Sequence, residues 1–313
     1  ISFYFTLSLL EDSGYLPRLA TLVDNIFHKL GMHGHGIVPV FLGLGCNVPG
    51  VLASRISLEN EERIQLITST PFIPCQARLV VLMAIITMAF ASPIIQVGVA
   101  LSIYVIAIIV ALLTSAFVRK VLGKTEPPEL ILELPPIHRP NIKVIWWNSW
   151  DLSKHFLRKA GTIILVLSIL IWFLSHVGPL GYVDEPANSY IAMIGNTIKP
   201  LLLPFGISVE NAWITGTALV TGFVAKELFI STIAILGGLS EEGNIVEVLQ
   251  LTPIQTYAIL LLITLYLPCL ATLAVILTES RSIKLTLLIV LYMVGLAYII
   301  SLVVYHLLLL IIP

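Results

Sequence analysis

Three cysteines, Cys46, Cys75 and Cys269, are all the thiols in a chain of 313 residues, and each lies beside a helix breaker. Cys46 sits in Gly43-Leu44-Gly45-Cys46-Asn47-Val48-Pro49-Gly50. Cys75 and Cys269 each follow a proline in a shared pattern, P-C-x-A-x-L, at Pro74–Leu79 and Pro268–Leu273. Thiolates favour borderline or soft metals such as ferrous iron, zinc or cuprous copper. A thiol must give up or share its proton to bind one, so binding would release protons. Asn47, Gln76 and carbonyls freed by the breaks could complete a site. Conduction needs only weak, exchangeable ligation rather than a closed ligand set. A lone buried cysteine usually just packs, and the glycine-rich stretch alone reads equally well as a packing kink. Three thiols at three breaks make a pattern. Their odd number, with no short spacing such as CxxC, argues against a disulfide framework.

Two charged groups join them. Lys226 and Glu227 lie within the apolar run Thr221-Gly222-Phe223-Val224-Ala225-Lys226-Glu227, where ionisable residues by default mark function. As helix neighbours they point roughly 100° apart, so each needs a partner on another segment or water. They would set the local charge or couple a helix break to gating; a buried structural ion network is the alternative. Near the start, Glu11-Asp12-Ser13 offers either an ordinary helix N-cap or a cation-attracting mouth beside the broken helix.

The elements that must position these residues are membrane helices. The chain is 58% hydrophobic and 11% charged, with a mean hydropathy of +0.99, far from the composition of soluble domains. Stretches 79–118, 160–183, 249–278 and 285–313 are long enough to span the hydrocarbon core, the first as a hairpin turning near Pro93. The fold class is an all-α polytopic membrane protein of roughly 7–8 membrane segments, with two gate-type repeats containing broken or re-entrant helices. Residues 1–118 form the first repeat, 119–210 a linker with an interfacial helix and an intervening membrane segment, and 211–313 the second repeat. Paired interrupted helices in two halves point to a transporter's central site.

Residues 119–159 hold eight of the 17 Lys and Arg, which places this loop in the cytoplasm by the positive-inside rule. Its tryptophans suit a membrane-surface helix. Acidic loops at 179–210 and 238–252 suit the outside face, so 211–237 must go in and return unless 190–206 also crosses. Glu59, Glu61 and Glu62 are expected in a short loop between Arg55 and Arg63. A net charge of −1 gives no footprint for nucleic acid. The start at Ile1, with no basic segment before the first apolar residues, reads as a fragment of something longer or a naturally separate membrane protein.

Together, Glu11-Asp12-Ser13-Gly14-Tyr15-Leu16-Pro17-Arg18, Gly43 to Pro49, Leu58-Glu59-Asn60-Glu61-Glu62-Arg63 and Pro71 to Leu79 resemble the FeoB family of ferrous iron transporters. Gly222 to Glu227 and Leu267-Pro268-Cys269 resemble that family's second gate region. The resemblance implies a prokaryotic inner-membrane importer of Fe2+ with two gate repeats like those of nucleoside transporters. It implies a GTP-binding domain of the same full-length protein, a small FeoA-like partner, and leaves a homo-oligomer open. Carried over, Cys46, Cys75 and Cys269 fall on the cysteines of the iron path, with Asn47 beside them, and Glu11, Asp12 and Ser13 fall on the acidic entry motif. No GxxxxGK[ST] occurs, so this chain has no P-loop for GTP and is read as a transporter rather than an enzyme. Two rivals stand beside iron: a gate-fold carrier for a nucleoside-like organic solute, in which the thiols are inert, and a membrane scaffold that transports nothing.

Overall fold

The computed structural model describes residues 36–57, 59–122, 140–179, 181–183, 189–209, 211–237, 245–266 and 268–311, with scattered positions before residue 36. Glu11, residues 15–35 apart from Arg18 and Leu22, residues 123–139, Leu58, Glu210, Leu267 and the acidic positions 184–185 and 241–242 lie outside them. Apart from a hairpin pairing Val177–Gly178 with Gly181–Tyr182, the elements among the described residues are helical. Among the described residues, four helical stretches are long and apolar enough to cross a membrane: Asn60–Ala89, Pro93–Leu122, Pro253–Ser280 and Ile283–Ile311. Ala212–Val224 and Glu227–Leu236 are apolar but shorter.

The chain packs as two units. The first comprises residues 1–75, 108–163 and 274–286, the second 76–107, 164–273 and 287–313. In the first unit, α1 (Ile37–Gly45) and α2 (Asn47–Leu52) are joined by Cys46, whose φ of −154° and ψ of 131° are extended backbone. The extended residue reverses the chain. A side chain at Gly50 would come within 3.0 Å of the Gly43 backbone and the Pro39 carbonyl, so α2 lies back along α1 with glycine meeting glycine. Such close crossings need residues without side chains.

After a 3-10 turn over Ala53–Ile56, α3 (Asn60–Ser69) begins earlier than the sequence suggested. The Arg55–Arg63 stretch is not a loop throughout: Glu61 and Glu62 occupy the first turn of α3, where negative charge complements the exposed amide groups. A second 3-10 turn, Thr70–Phe72, leads to Pro74-Cys75 and then α4 (Gln76–Ala89). Pro93 opens α5 (Pro93–Leu122), close to the expected turn. α5 exposes Ile94, Val97, Leu101, Val105, Leu113 and Phe117, an apolar face suited to lipid.

α6 (Ile142–His176) is one uninterrupted helix. The expected surface helix and the following crossing are therefore continuous, because no Gly-Pro break separates them. Trp146, Trp147 and Trp150 are exposed on its first half.

In the second unit, α7 (Tyr190–Leu202) packs on α8 (Ala212–Val224) at a glycine crossing. A methyl at Gly216 would lie 2.7 Å from the Gly195 carbonyl oxygen. α8 is followed by α9 (Glu227–Leu236), with Ala225 between them at φ −146° and ψ 134°. These helices also fold back: the Thr221 and Thr232 hydroxyls are 2.7 Å apart, and a methyl at Gly222 would meet Phe229 Cβ at 3.1 Å. At the open end, Asn211 donates to the Val248 carbonyl, and a methyl at Gly237 would touch the Val248 side chain at 2.6 Å.

The short α10 (Ile245–Val248) precedes α11 (Pro253–Leu265), which begins with a Thr252/Gln255 capping box and Pro253 in its first turn. Nearly every α11 side chain from Thr256 onward is buried. α12 (Leu270–Ser280) and α13 (Ile283–Ile311) complete the chain.

Candidate functional site

The two fold-back pairs match residue for residue. Cys46 and Ala225 each follow a glycine by three residues, share nearly the same extended dihedrals, and donate their amide to the carbonyl four residues back. Gly43 crosses Gly50 in the first pair as Gly222 crosses Phe229 in the second. Asn47 and Lys226 thus occupy equivalent positions, the first residue past each reversal.

In the first unit, Asn47 is 3% exposed. Its amide nitrogen donates to the Pro71 carbonyl at 3.2 Å. That contact fixes the orientation of the amide, so Oδ1 faces the other way, toward Gly43. There Oδ1 is buried with no hydrogen-bond partner, as is the hydroxyl of Thr70. Unmet buried oxygens cost about 1–3 kcal/mol each, and in native folds each calls for an explanation.

In the second unit, Lys226 is 2% exposed. Its ammonium sits 3.7 Å from the centroid of the Tyr266 ring and donates to the Ile263 carbonyl at 3.5 Å. A cation over an aromatic face, desolvated on all sides, is a favourable pairing. The Tyr266 hydroxyl donates to the Leu219 carbonyl at 3.0 Å, tying α11 to α8. Buried Arg78 adds its charge near Tyr266. Glu227, next along the chain, is exposed.

None of the three cysteines is in a disulfide, and all three are half-buried. Cys75 directly precedes α4 and Cys269 directly precedes α12, so each proline–cysteine pair marks the same helix–break–helix geometry. The Cys269 thiol lies 3.3 Å from the Thr272 hydroxyl. Among the described residues, no cluster of three or more His, Cys, Asp or Glu is shaped to hold a metal ion.

Of the acidic mouth residues, Ser13 is half-buried and Asp12 accepts a hydrogen bond from the Asn141 amide at 2.8 Å, just before α6. The chemistry missed from sequence lies in Thr70, Tyr266 and Glu279. Glu279, at the end of α12, accepts from Arg55 Nε at 2.9 Å and Nη2 at 2.6 Å, and from Arg63. These bonds hold the Arg55 guanidinium above its ordinary pKa, so it stays charged throughout.

Apolar helices that reverse at extended residues, in two copies, define a membrane protein of the paired-gate class. The family described as "Gate: Nucleoside recognition" matches residues 1–90 and 157–282, and "Ferrous iron transport protein B C terminus" matches residues 100–151. The chain belongs to the Gate family. It is 40% identical over 306 residues to the Fe(2+) transporter FeoB of Staphylococcus aureus (strain MSSA476), covering 97% of this chain and 45% of that protein. It is 40% identical over 311 residues to the FeoB of Methanocaldococcus jannaschii, covering 96% and 45%. A Porphyromonas gingivalis relative, 29% identical over 354 residues covering 97% of this chain and 41% of its own length, is a fusion of Fe(2+) transport protein A with FeoB. The chain thus spans about half the length of the curated relatives it matches. No solved structure matches it.

Proposed function

We propose that this chain forms the membrane path for inward transport of ferrous iron across the inner membrane, with the 119–159 loop in the cytoplasm. The observation that carries this reading is the pair of equivalent fold-backs at Cys46 and Ala225, in a chain similar along 97% of its length to proteins named Fe(2+) transporters. Both reversals enter the membrane and return on the same side, which leaves polar backbone facing a protein-lined path. Cys46, Cys75 and Asn47 act as exchangeable ligands from the first repeat and Cys269 from the second. Lys226 and Glu227 set the charge at the second break and couple it to gating.

Asp12 is hydrogen-bonded beside the start of α6. Glu11, Asp12 and Ser13 serve the entry of the path or its gating. A GTP-binding domain of the full-length protein gates the path, and a FeoA-like protein is a partner, in keeping with the fused relative.

Anaerobic Fe2+ uptake into liposomes containing this chain tests the reading. Wild type should take up iron, and the triple Cys46/Cys75/Cys269→Ser variant should lose most of that flux. Equal flux in both would remove the thiols from the path. No flux in either, with the GTP-binding domain also attached, would sink the iron reading. The nucleoside in the family's description favours the organic-solute rival, so adenosine uptake in the same vesicles decides between them.

A further inference from the structure

α6 is longer than a membrane crossing needs. Its 35 residues make a rod about 52 Å long, against about 30 Å for the hydrocarbon core and about 40–45 Å with both headgroup layers. Its second half suits lipid, with Leu165, Ile169, Trp172 and Phe173 exposed. The surplus falls to the first half, and that half is no polar extension into water. Ile142, Val144, Trp146, Trp147 and Trp150 are all about half exposed or more.

The two sides of this first half differ. Ile145, Ser149 and Ser153, four residues apart, are buried, and the Ser149 hydroxyl donates to the Ile145 carbonyl at 2.6 Å. Lys143, Trp147, Trp150 and Lys154 follow at steps of four, three and four residues, which places them in one stripe on the other side. All four are exposed. The stripe carries an ammonium at each end, about 16 Å apart along the axis, and two indoles between. Asp151 borders it, lining an open groove with Lys143, Val144 and Trp147, and lies about 12 Å along the axis from Lys143. The last turn of α5 adds Arg119 and Lys120.

Exposed indoles interleaved with lysines match a membrane interface, where the rings sit at headgroup level. A lysine there runs its alkyl stem along apolar surface and lifts its ammonium to the phosphates. Tilted by about 30–40°, the upper part of the range for membrane helices, α6 fits within the whole bilayer, and its first half runs through one headgroup layer. At these two helix ends the described cations Arg119, Lys120, Lys143 and Lys154 outnumber the acids Asp12 and Asp151. The complementary headgroup is therefore anionic.

We propose that the Lys143, Trp147, Trp150 and Lys154 stripe is a binding surface for anionic phospholipid, each ammonium holding a headgroup phosphate and the indoles lying at the glycerol level between them. The choice of the cytoplasmic leaflet rests on the placement of the 119–159 loop. The preference for anionic lipid is independent of that placement and of iron.

The test is quenching of tryptophan fluorescence by brominated lipid, on this chain in phosphatidylcholine nanodiscs. Trp172→Phe with Trp213→Phe leaves Trp146, Trp147 and Trp150 as reporters. Dibromo-phosphatidylglycerol should reach half-maximal quenching at a several-fold lower share of the lipid than dibromo-phosphatidylcholine. A lysine at an anionic surface contributes about fivefold to such a preference. Lys143→Gln and Lys154→Gln should each lower it accordingly and the double Gln variant should abolish it, while the double Arg variant, which keeps both charges, should retain it. Equal quenching by the two lipids in the parent chain overturns the proposal. So does a preference that survives the double Gln variant, or one lost equally in the double Arg variant. Absence of quenching by either lipid also overturns it, and would assign the stripe to a protein partner instead.

Discussion

Glu279 binds two arginines with one carboxylate. Its side chain is 1% exposed, against 65% for Arg55 and 23% for Arg63, so its bonds to the two arginines are unequal in worth. An exposed ion pair contributes about 0–1 kcal/mol, whereas a buried charge stripped of its partner costs about 3–5 kcal/mol. Arg55→Ala should therefore lower the melting temperature in detergent only slightly, while Arg63→Ala, which removes the more buried guanidinium, should lower it clearly more. Equal effects would mean that Arg55 is ordered and desolvated by something beyond Glu279. At this scale the sequence flagged the thiols, Asn47, Lys226 and Glu227 because polar groups in apolar runs stand out. It could not flag Glu279 or Thr70. A glutamate near a helix end and a threonine before a proline look ordinary until folding brings Arg55 to one and Gly43 to the other.

The fold-back pairs are the working elements, and their tightness depends on glycine. At Gly50 an added methyl would meet the Gly43 backbone and the Pro39 carbonyl at 3.0 Å, and backbone cannot swing away. At Gly43 the closest atom is the Thr70 methyl at 3.2 Å, a side chain with some room to give. Overpacking of this kind costs about 1–3 kcal/mol. Gly50→Ala should fall near the top of that range and Gly43→Ala below it, read as melting temperatures of the purified chain. The opposite order would mean that α1 and α2 do not cross at Gly50. Gly195→Ala is expected to be as severe as Gly50→Ala, since its methyl would strike the Thr217 hydroxyl and lie 2.7 Å from the Trp213 carbonyl. Glycine and proline in the sequence announced that the helices break. They said nothing of the direction after each break, because one extended residue can continue an axis or reverse it; the Gly43–Gly50 and Thr221–Thr232 contacts decide for reversal.

For the whole molecule, the long apolar helices set the topology that the transport reading needs. α5 runs from Pro93 to Leu122, so its ends lie on opposite membrane faces if it crosses. In a chain whose native cysteines are replaced by serine, Ala91→Cys should react with an impermeant maleimide only from outside, and Lys143→Cys only from the cytoplasmic side. Both starting residues are exposed. Labelling of both from one side would overturn the placement of the 119–159 loop.

The amino-acid sequence by itself determined that this is a nearly all-helical chain of membrane-protein composition, with its thiols beside glycine and proline breaks. Hydropathy, glycine, proline and charge act locally along the chain, and local forces are legible in order. Only the tertiary structure decided that Lys226 lies over Tyr266, that the buried Asn47 and Thr70 oxygens go unmet, and that one helix runs unbroken from Ile142 to His176. The first two depend on which distant segments share a buried surface. The third turns on whether a polar, tryptophan-rich stretch bends at the membrane edge, and no residue between Ile142 and His176 breaks the helix.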